Sequence, residues 1–242
     1  MKIIKLDAID STNDFLKNLI RNQNVENYTV VVAKNQTAGK GQMGSKWEAE
    51  IGKNLTFSVL VKNFIFDIND IFNVNIVVSV SILEVLKALN IPNLSIKWPN
   101  DILSDNKKIG GILIENKLKS NKTIDSVIGI GLNVNQSKFD GLPNASSLLN
   151  SAHQIFDLNE ILLLIVSQIK NNLTVYEKSK THFWENYHQN LYHLNVISEF
   201  EDEQKNQFQG KIIGVSNDGK LIVEFNDNSN KMFSLKEIKM IL

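Results

Sequence analysis

The 242 residues carry 43% hydrophobic side chains, enough for one large domain, or one large and one small, to bury an ordinary core. The 26 basic and 26 acidic residues cancel to a formal charge of zero, which removes the electrostatic footprint of a duplex nucleic-acid binder. With no cysteine, a disulfide framework, a thiolate nucleophile and a Cys-ligated metal are all excluded.

Arg21 is the only arginine, so phosphates and carboxylates must be met by lysine point charges or neutral amides. No run of roughly 18 uncharged apolar residues occurs, and the N-terminus lacks a long apolar core. The expectation is a cytoplasmic protein with neither signal peptide nor membrane span.

After a short apolar stretch, Asp10-Ser11-Thr12-Asn13 supplies candidate N-caps, and Phe15, Leu16, Leu19 and Ile20 recur with helical spacing, which predicts a helix to about Asn22. Residues 28–33 are β-rich and lead into a polar, glycine-punctuated segment over 34–53. Residues 55–61 read as a strand with Leu55, Phe57, Val59 and Val61 on one face. A buried helix fits 69–89 best, although Ile76-Val77-Val78 leaves strand as the alternative. Three strands follow over 94–98, 109–117 and 124–134, joined by turns rich in Asn, Asp and Lys, and such neighbours usually pair antiparallel. Residues 159–188 are helical. From about Val196 the pattern changes to short strands with turns at Ser216-Asn217-Asp218-Gly219 and Asp227-Asn228. Two domains are expected, 1–190 and a small β-rich unit over 191–242.

Three segments carry chemistry. Residues 36–47, QTAGKGQMGSKW, place Gly39, Gly41 and Gly44 between two strands, where backbone amides can wrap an anion. The segment is neither a Walker A loop nor a Rossmann turn, and alone it reads equally well as a flexible surface loop. Lys97-Trp98-Pro99-Asn100-Asp101 comes next, followed by Lys107-Lys108-Ile109-Gly110-Gly111-Ile112. Pro99 favours an extended Trp98 and the Asn-Asp pair favours a turn, which sets Lys97 and Asp101 at a strand end. Lys108 then opens a strand whose glycines leave space for a ligand against the sheet. The third segment, Gly129-Ile130-Gly131-Leu132-Asn133-Val134-Asn135, has alternate glycines, which weaken a strand unless something approaches its backbone closely; alone, an ordinary packed strand explains it.

Together, Ser11-Thr12-Asn13, the glycine loop ending in Trp47, Gly52-Lys53-Asn54-Leu55, KWPND with KIGGIL, and GIGLNVN followed by Ala145-Ser146-Ser147-Leu148 resemble biotin protein ligases over about residues 7–150. The C-terminal segment resembles that family's SH3-like domain more loosely. The resemblance implies an α+β fold, with an antiparallel-rich mixed sheet and helices akin to class II aminoacyl-tRNA synthetases, plus a small C-terminal SH3-like β-barrel. It implies ATP-dependent activation of biotin to biotinyl-5'-adenylate and transfer to a lysine of a biotin carboxyl carrier protein domain. Ser11, Thr12, Asn13 and Gln36 would meet the biotin ureido head, with Gly39, Lys40, Gly41, Gln42 and Gly111 along the ring and tail. Lys108 would join the biotin carboxylate to the ATP α-phosphate. Lys97, Asn100 and Asp101 would serve the phosphates and Mg²⁺, with Trp47 and Asn133 near the adenosine and Asp101 a candidate base for transfer. The chemistry is assigned to Lys108, Lys97 and Asp101.

The family often has arginine where this chain has Lys40 and Gln42, so the glycine loop is expected to order mainly through ligand contacts. Some members carry an N-terminal helix-turn-helix repressor domain, for which the ten residues before Ser11 leave no room. The implied form is monofunctional, with neither nucleic acid nor membrane as partner and a homodimer left open. The rivals are a lipoate or octanoate ligase, against which KWPND with KIGGIL argues, and a biotin sensor without catalysis, against which Lys97, Asp101 and Lys108 argue.

Overall fold

The computed structural model describes residues 1–65, 70–119 and 123–241. Its larger sheet has seven strands: β1 (Ile3–Ile9), β2 (Val30–Gln36), β3 (Leu55–Ile65), β4 (Leu94–Lys97), β5 (Asp101–Ser104), β6 (Lys107–Leu118) and β7 (Ile124–Leu132). They run in the order β1-β2-β3-β7-β6-β5-β4. Strands β1 and β2 pair in parallel, because helix α1 (Thr12–Asn22) crosses between them; among the described residues the other neighbouring strands of this sheet pair antiparallel.

Helix α1 starts where Ser11 Oγ accepts the Asp14 N–H at 3.4 Å. It buries Leu16 against Val31, Leu60 and Val127 on one face of the sheet. The other face is covered by α2 (Ile71–Ala88) and α4 (Leu158–Gln189), which pack against Phe57, Val59, Val61, Ile128 and Ile130. Strand β3 is therefore buried on both faces from Leu55 to Val61, not on one as its alternation suggests. Helix α2 is long and apolar enough in composition to cross a membrane, and here it is the central core helix, buried nearly all round. Of the predicted helix over 69–89, Asn69 lies outside the described residues.

Tyr187 on α4 is fully buried, edge-on to Phe72 at 5.8 Å, and its hydroxyl has no partner among the described residues. Burial pushes its phenol well above the ordinary value of 10.0. A group raised in the folded state stabilises below its unfolded pKa and loses that contribution as pH rises, so this contribution fades above about pH 10. Tyr187→Phe is expected to leave stability at pH 7 unchanged or raise it by up to about 1–2 kcal/mol, since it deletes an unpaired polar group, and to lessen the decline above pH 10. Denaturant titrations at pH 7 and 10.5 check this; a loss above about 1 kcal/mol at pH 7 would contradict it.

The chain continues through a short helix α3 (Leu148–Ala152) to α4 and then a five-stranded antiparallel sheet of order β11-β10-β9-β8-β12. Its strands are β8 (Ile197–Asp202), β9 (Gln207–Val215), β10 (Leu221–Glu224), β11 (Asn230–Phe233) and β12 (Ile238–Met240). Both predicted turns fall at its connections, at 216–219 between β9 and β10 and at 227–228 between β10 and β11. Phe200, Ile212, Val215 and Val223 join the main core, and Trp98 Nε1 donates to the Gly219 carbonyl at 2.9 Å.

Three elements go beyond the sequence reading. β1 is a sheet-edge strand with little buried on either side, while β5 and α3 are only four and five residues long. The Trp98-Pro99 peptide is cis.

Candidate functional site

The α1 face of the sheet forms a floor. Side chains alternate along a strand, so Thr56 of β3, Gly131 of β7 and Gly111 of β6 form one registered row, and Ser58, Gly129 and Leu113 the next. A cavity of about 230 Å³ lies over these rows, between the start of α1, the glycine loop and the β4–β5 turn. Its wall includes Ser11, Thr12, Asn13, Gln36, Lys40, Gly41, Gln42, Trp47, Asn100, Asp101, Lys108 and Gly111.

The glycines serve close approach. A Cβ on Gly131 would lie 2.3 Å from Trp47 Cε2, and one on Gly129 would lie 2.5 Å from Asn13 Oδ1. Trp47 thus lies flat on the sheet. The loop that carries it is a hairpin: Trp47 N–H donates to the Gly39 carbonyl at 3.0 Å and Gly41 N–H to Ser45 at 2.7 Å, with a 3₁₀ turn at Gln42–Gly44. Thr37 and Ala38 N–H groups tie its root to Ile9 and Asp10. Trp47 Nε1 is buried without a partner among the described residues.

At one end of the cavity the groups are polar and neutral. Gln36 Oε1 accepts from Thr12 N at 2.8 Å and from Thr12 Oγ1 at 3.1 Å, and Ser58 Oγ lies 2.5 Å from Asn13 Oδ1. Asn13 Nδ2 donates to Glu115 at 2.8 Å. Glu115 also pairs with Lys17 at 2.6 Å, Lys17 with Asp14 at 2.8 Å, and Asp14 with Lys40 of the loop at 2.5 Å. Burial works against the Asp14 charge, yet hydrogen bonds from Lys17 and Lys40 hold its carboxyl below the usual range.

At the other end the groups are charged. Lys108 Nζ pairs with Asp101 at 2.6 Å and lies 5.7 Å from the Trp47 ring centre. Asn100 Nδ2 donates to the Ile112 carbonyl at 2.7 Å, which fixes the turn that presents Asp101. Lys97 pairs across β4–β5 with Asp101 but lines an adjoining cavity under the C-terminal sheet, together with Lys236 and Lys239. Burial pushes its ammonium below the ordinary value; Asp101 opposes this, while Lys108 and Lys239 act with burial. Among the described residues, the wall of that adjoining cavity carries these three lysines and one carboxylate, Glu201.

Of the residues singled out from sequence, Gly39 lies just outside the main cavity as the backbone partner of Trp47 in the hairpin, Lys97 lines the adjoining cavity, and Asn133 is brought into neither. Asn133 is buried, with its Nδ2 donating to the Ser146 carbonyl at 2.9 Å, so here it fastens the 145–148 loop. Sequence reasoning missed Ser58, Thr56, Glu115, Asp14 and Lys17. A signal was present in Thr56 and Ser58, polar residues at alternate positions of an otherwise apolar strand.

The sequence profile described as the Biotin/lipoate A/B protein ligase family matches residues 6–133, more than half of the chain. The chain belongs to the biotin/lipoate A/B protein ligase family. Within that family it is 29% identical to the bifunctional ligase/repressor BirA of Bacillus spizizenii, over 96% of this chain and 72% of the relative. It is 29% identical to the biotin--[acetyl-CoA-carboxylase] ligase of Mycobacterium tuberculosis over 58% of this chain and 52% of that one. The biotin protein ligase from Aquifex aeolicus, solved in complex with biotin and ATP, superposes with a TM-score of 0.81 at 28% identity, covering 99% of this chain and 98% of that chain. The fold is thus the α+β biotin ligase fold, including the small antiparallel C-terminal sheet.

Proposed function

We propose that this chain is a biotin protein ligase that activates biotin with ATP and passes the biotinyl group to a lysine of a biotin carboxyl carrier protein domain. The observation that carries the reading is one cavity with a neutral hydrogen-bonding end at Thr12, Asn13 and Gln36 and a charged end at Lys108 and Asp101. That polarity fits a ligand with a neutral polar head and an anionic tail.

In the first step a biotin carboxylate oxygen attacks the ATP α-phosphorus, the bond to the bridging oxygen breaks, and pyrophosphate leaves. Two anions must meet, so positioning and charge compensation dominate. Lys108 bridges the carboxylate and the α-phosphate; at about 4 Å and an effective dielectric near 20, such a contact is of order 4 kcal/mol before desolvation. Lys97, with Lys236 and Lys239 in the adjoining cavity, faces the outer phosphates, where three lysines meet a polyanion. Trp47, whose indole N–H has no partner among the described residues, covers the nucleotide side. In the second step the acceptor amine attacks the acyl carbon, AMP leaves, and Asp101 takes the amine proton.

Among the described residues, Asp101 is the only acidic one in the cavity wall and no cluster of three metal-ligating side chains occurs. One carboxylate suits a Mg²⁺ ion that arrives with the nucleotide, since Mg²⁺ is commonly held by one or two carboxylates plus substrate phosphates. When bound it supplies further charge compensation. The same proposal divides the chain into a catalytic part over 1–190 and a β part over 191–242, because all strands after α4 belong to the second sheet. The cytoplasm is the proposed site of action, and the balanced charge supports a reading without nucleic acid.

Incubation with ATP, Mg²⁺ and labelled biotin is expected to label a carrier domain covalently at its acceptor lysine. Labelling by lipoate or octanoate but not by biotin would sink the proposal.

A further inference from the structure

The polar end of the cavity has a fixed hydrogen-bond direction, and its origin lies outside the residues assigned to the ligand. Asn13 Oδ1 can only accept, so the single Ser58 hydrogen is directed to it, at 2.5 Å. Ser58 Oγ also lies 2.7 Å from Thr12 Oγ1. With Ser58's hydrogen committed, Thr12's hydrogen goes to Ser58 Oγ or to Gln36 Oε1 at 3.1 Å, and either way it stays within the protein. Thr12 Oγ1 therefore offers lone pairs to the cavity. Gln36 Oε1 is engaged by the Thr12 amide at 2.8 Å, which leaves Nε2 as the donor that Gln36 has for a ligand.

This order is rooted in Glu115. Its carboxylate accepts from Asn13 Nδ2 at 2.8 Å and so decides which way the Asn13 amide faces. Lys17 holds Glu115, Asp14 holds Lys17, and Lys40 of the glycine loop closes the series. Gly129 leaves the space that lets Asn13 reach Ser58.

We propose that Glu115 and Ser58 are positioning residues that set the hydrogen-bond polarity of the head-group site and thereby select a cyclic urea over a dithiolane. The inference rests on the biotin ligase reading. A urea brings two N–H donors and one carbonyl acceptor, which match an acceptor at Thr12 and a donor at Gln36. A dithiolane brings neither and would leave both groups desolvated and unpaired, the kind of mismatch that discriminates strongly.

The test compares wild type with Glu115→Gln and Ser58→Ala. The Glu115 side chain is 34% exposed, so its isosteric amide is compatible with the fold, and Ser58→Ala removes the second link independently. Biotin, desthiobiotin (which keeps the urea), lipoate and ATP are titrated separately, and KM and kcat are measured for adenylate formation. In both variants the KM and Kd for biotin and desthiobiotin are expected to rise together by about tenfold to a hundredfold, the scale of losing a charge-linked hydrogen bond. The kcat at saturating biotin and the KM for ATP should stay within about twofold of wild type. Unchanged affinity for biotin in both variants would overturn the inference, as would parallel losses in kcat and in ATP binding, which mark general disruption. Wild-type protein that binds lipoate and not biotin would instead overturn the ligase reading beneath it.

Discussion

Lys108→Ala is expected to lower the rate of adenylate formation by about 10²–10³-fold while the protein stays folded. Removing a group that compensates developing charge in a partly water-excluded site costs about 2.7–4 kcal/mol in the barrier, which sets that range. The fold should tolerate the change because the Lys108 side chain is 38% exposed and its partner Asp101 is part-exposed as well. The backbone bonds that anchor it, Lys108 N–H to Asn144 and Ser146 N–H to the Lys108 carbonyl, are independent of the side chain. Loss of a part-exposed ion pair is worth about 1 kcal/mol or less. Single-turnover formation of biotinyl-adenylate, with a thermal melt alongside, checks both halves. A near wild-type rate would remove Lys108 from the chemistry, and a collapsed melt would make the lysine structural.

Gly131→Ala is expected to disable the cap over the intermediate. The new Cβ would fall 2.3 Å from Trp47 Cε2 and 2.6 Å from Cζ2. The ring is rigid, and Gly131 sits in an inner strand paired on both sides, to Thr56 and Gly111, so the indole is the part that must move. Displacing it undoes the packing that seats the 39–47 hairpin on the sheet, and a misplacement of about 1 Å can cost on the order of 10²-fold in rate. The anhydride is then less shielded from water. Expected results are a carrier-labelling rate lower by about that factor, adenylate appearing free in solution, and faster proteolysis within 37–53. Unchanged labelling and an equally protected loop would show that Trp47 does not close the site.

The legibility of the site followed the local physics. Helix α1 was readable because Ser11 is a capping residue ahead of a periodic apolar run, and Lys97 and Asp101 sit where the Asn-Asp turn puts them, paired across β4–β5. The glycines at 111, 129 and 131 signalled close approach, but which groups approach them was not legible. Their neighbours Trp47 and Asn13 come from elements at least 60 residues away in sequence. The same holds for Glu115, an ordinary exposed-looking charge on its own strand, whose meaning depends on Lys17 and Asn13 from α1. Asn133 fails the opposite way: its position after two glycines suggests a ligand contact, and the fold uses its amide to fasten the Ser146 backbone. The apolar alternation of β3 hid a second buried face, because its polar side chains are satisfied there: Thr56 donates to the Ala33 carbonyl of β2, and Ser58 meets Thr12 and Asn13 of α1.

In the proposed reaction one cavity joins the carboxylate of biotin to the α-phosphate of ATP. Exchange of labelled pyrophosphate into ATP reports that step alone, since it requires reversible formation of an acyl-adenylate and no carrier protein. Exchange that depends on added biotin, and that neither lipoate nor octanoate supports, is the predicted result. Exchange driven by lipoate or octanoate with none from biotin would contradict the account.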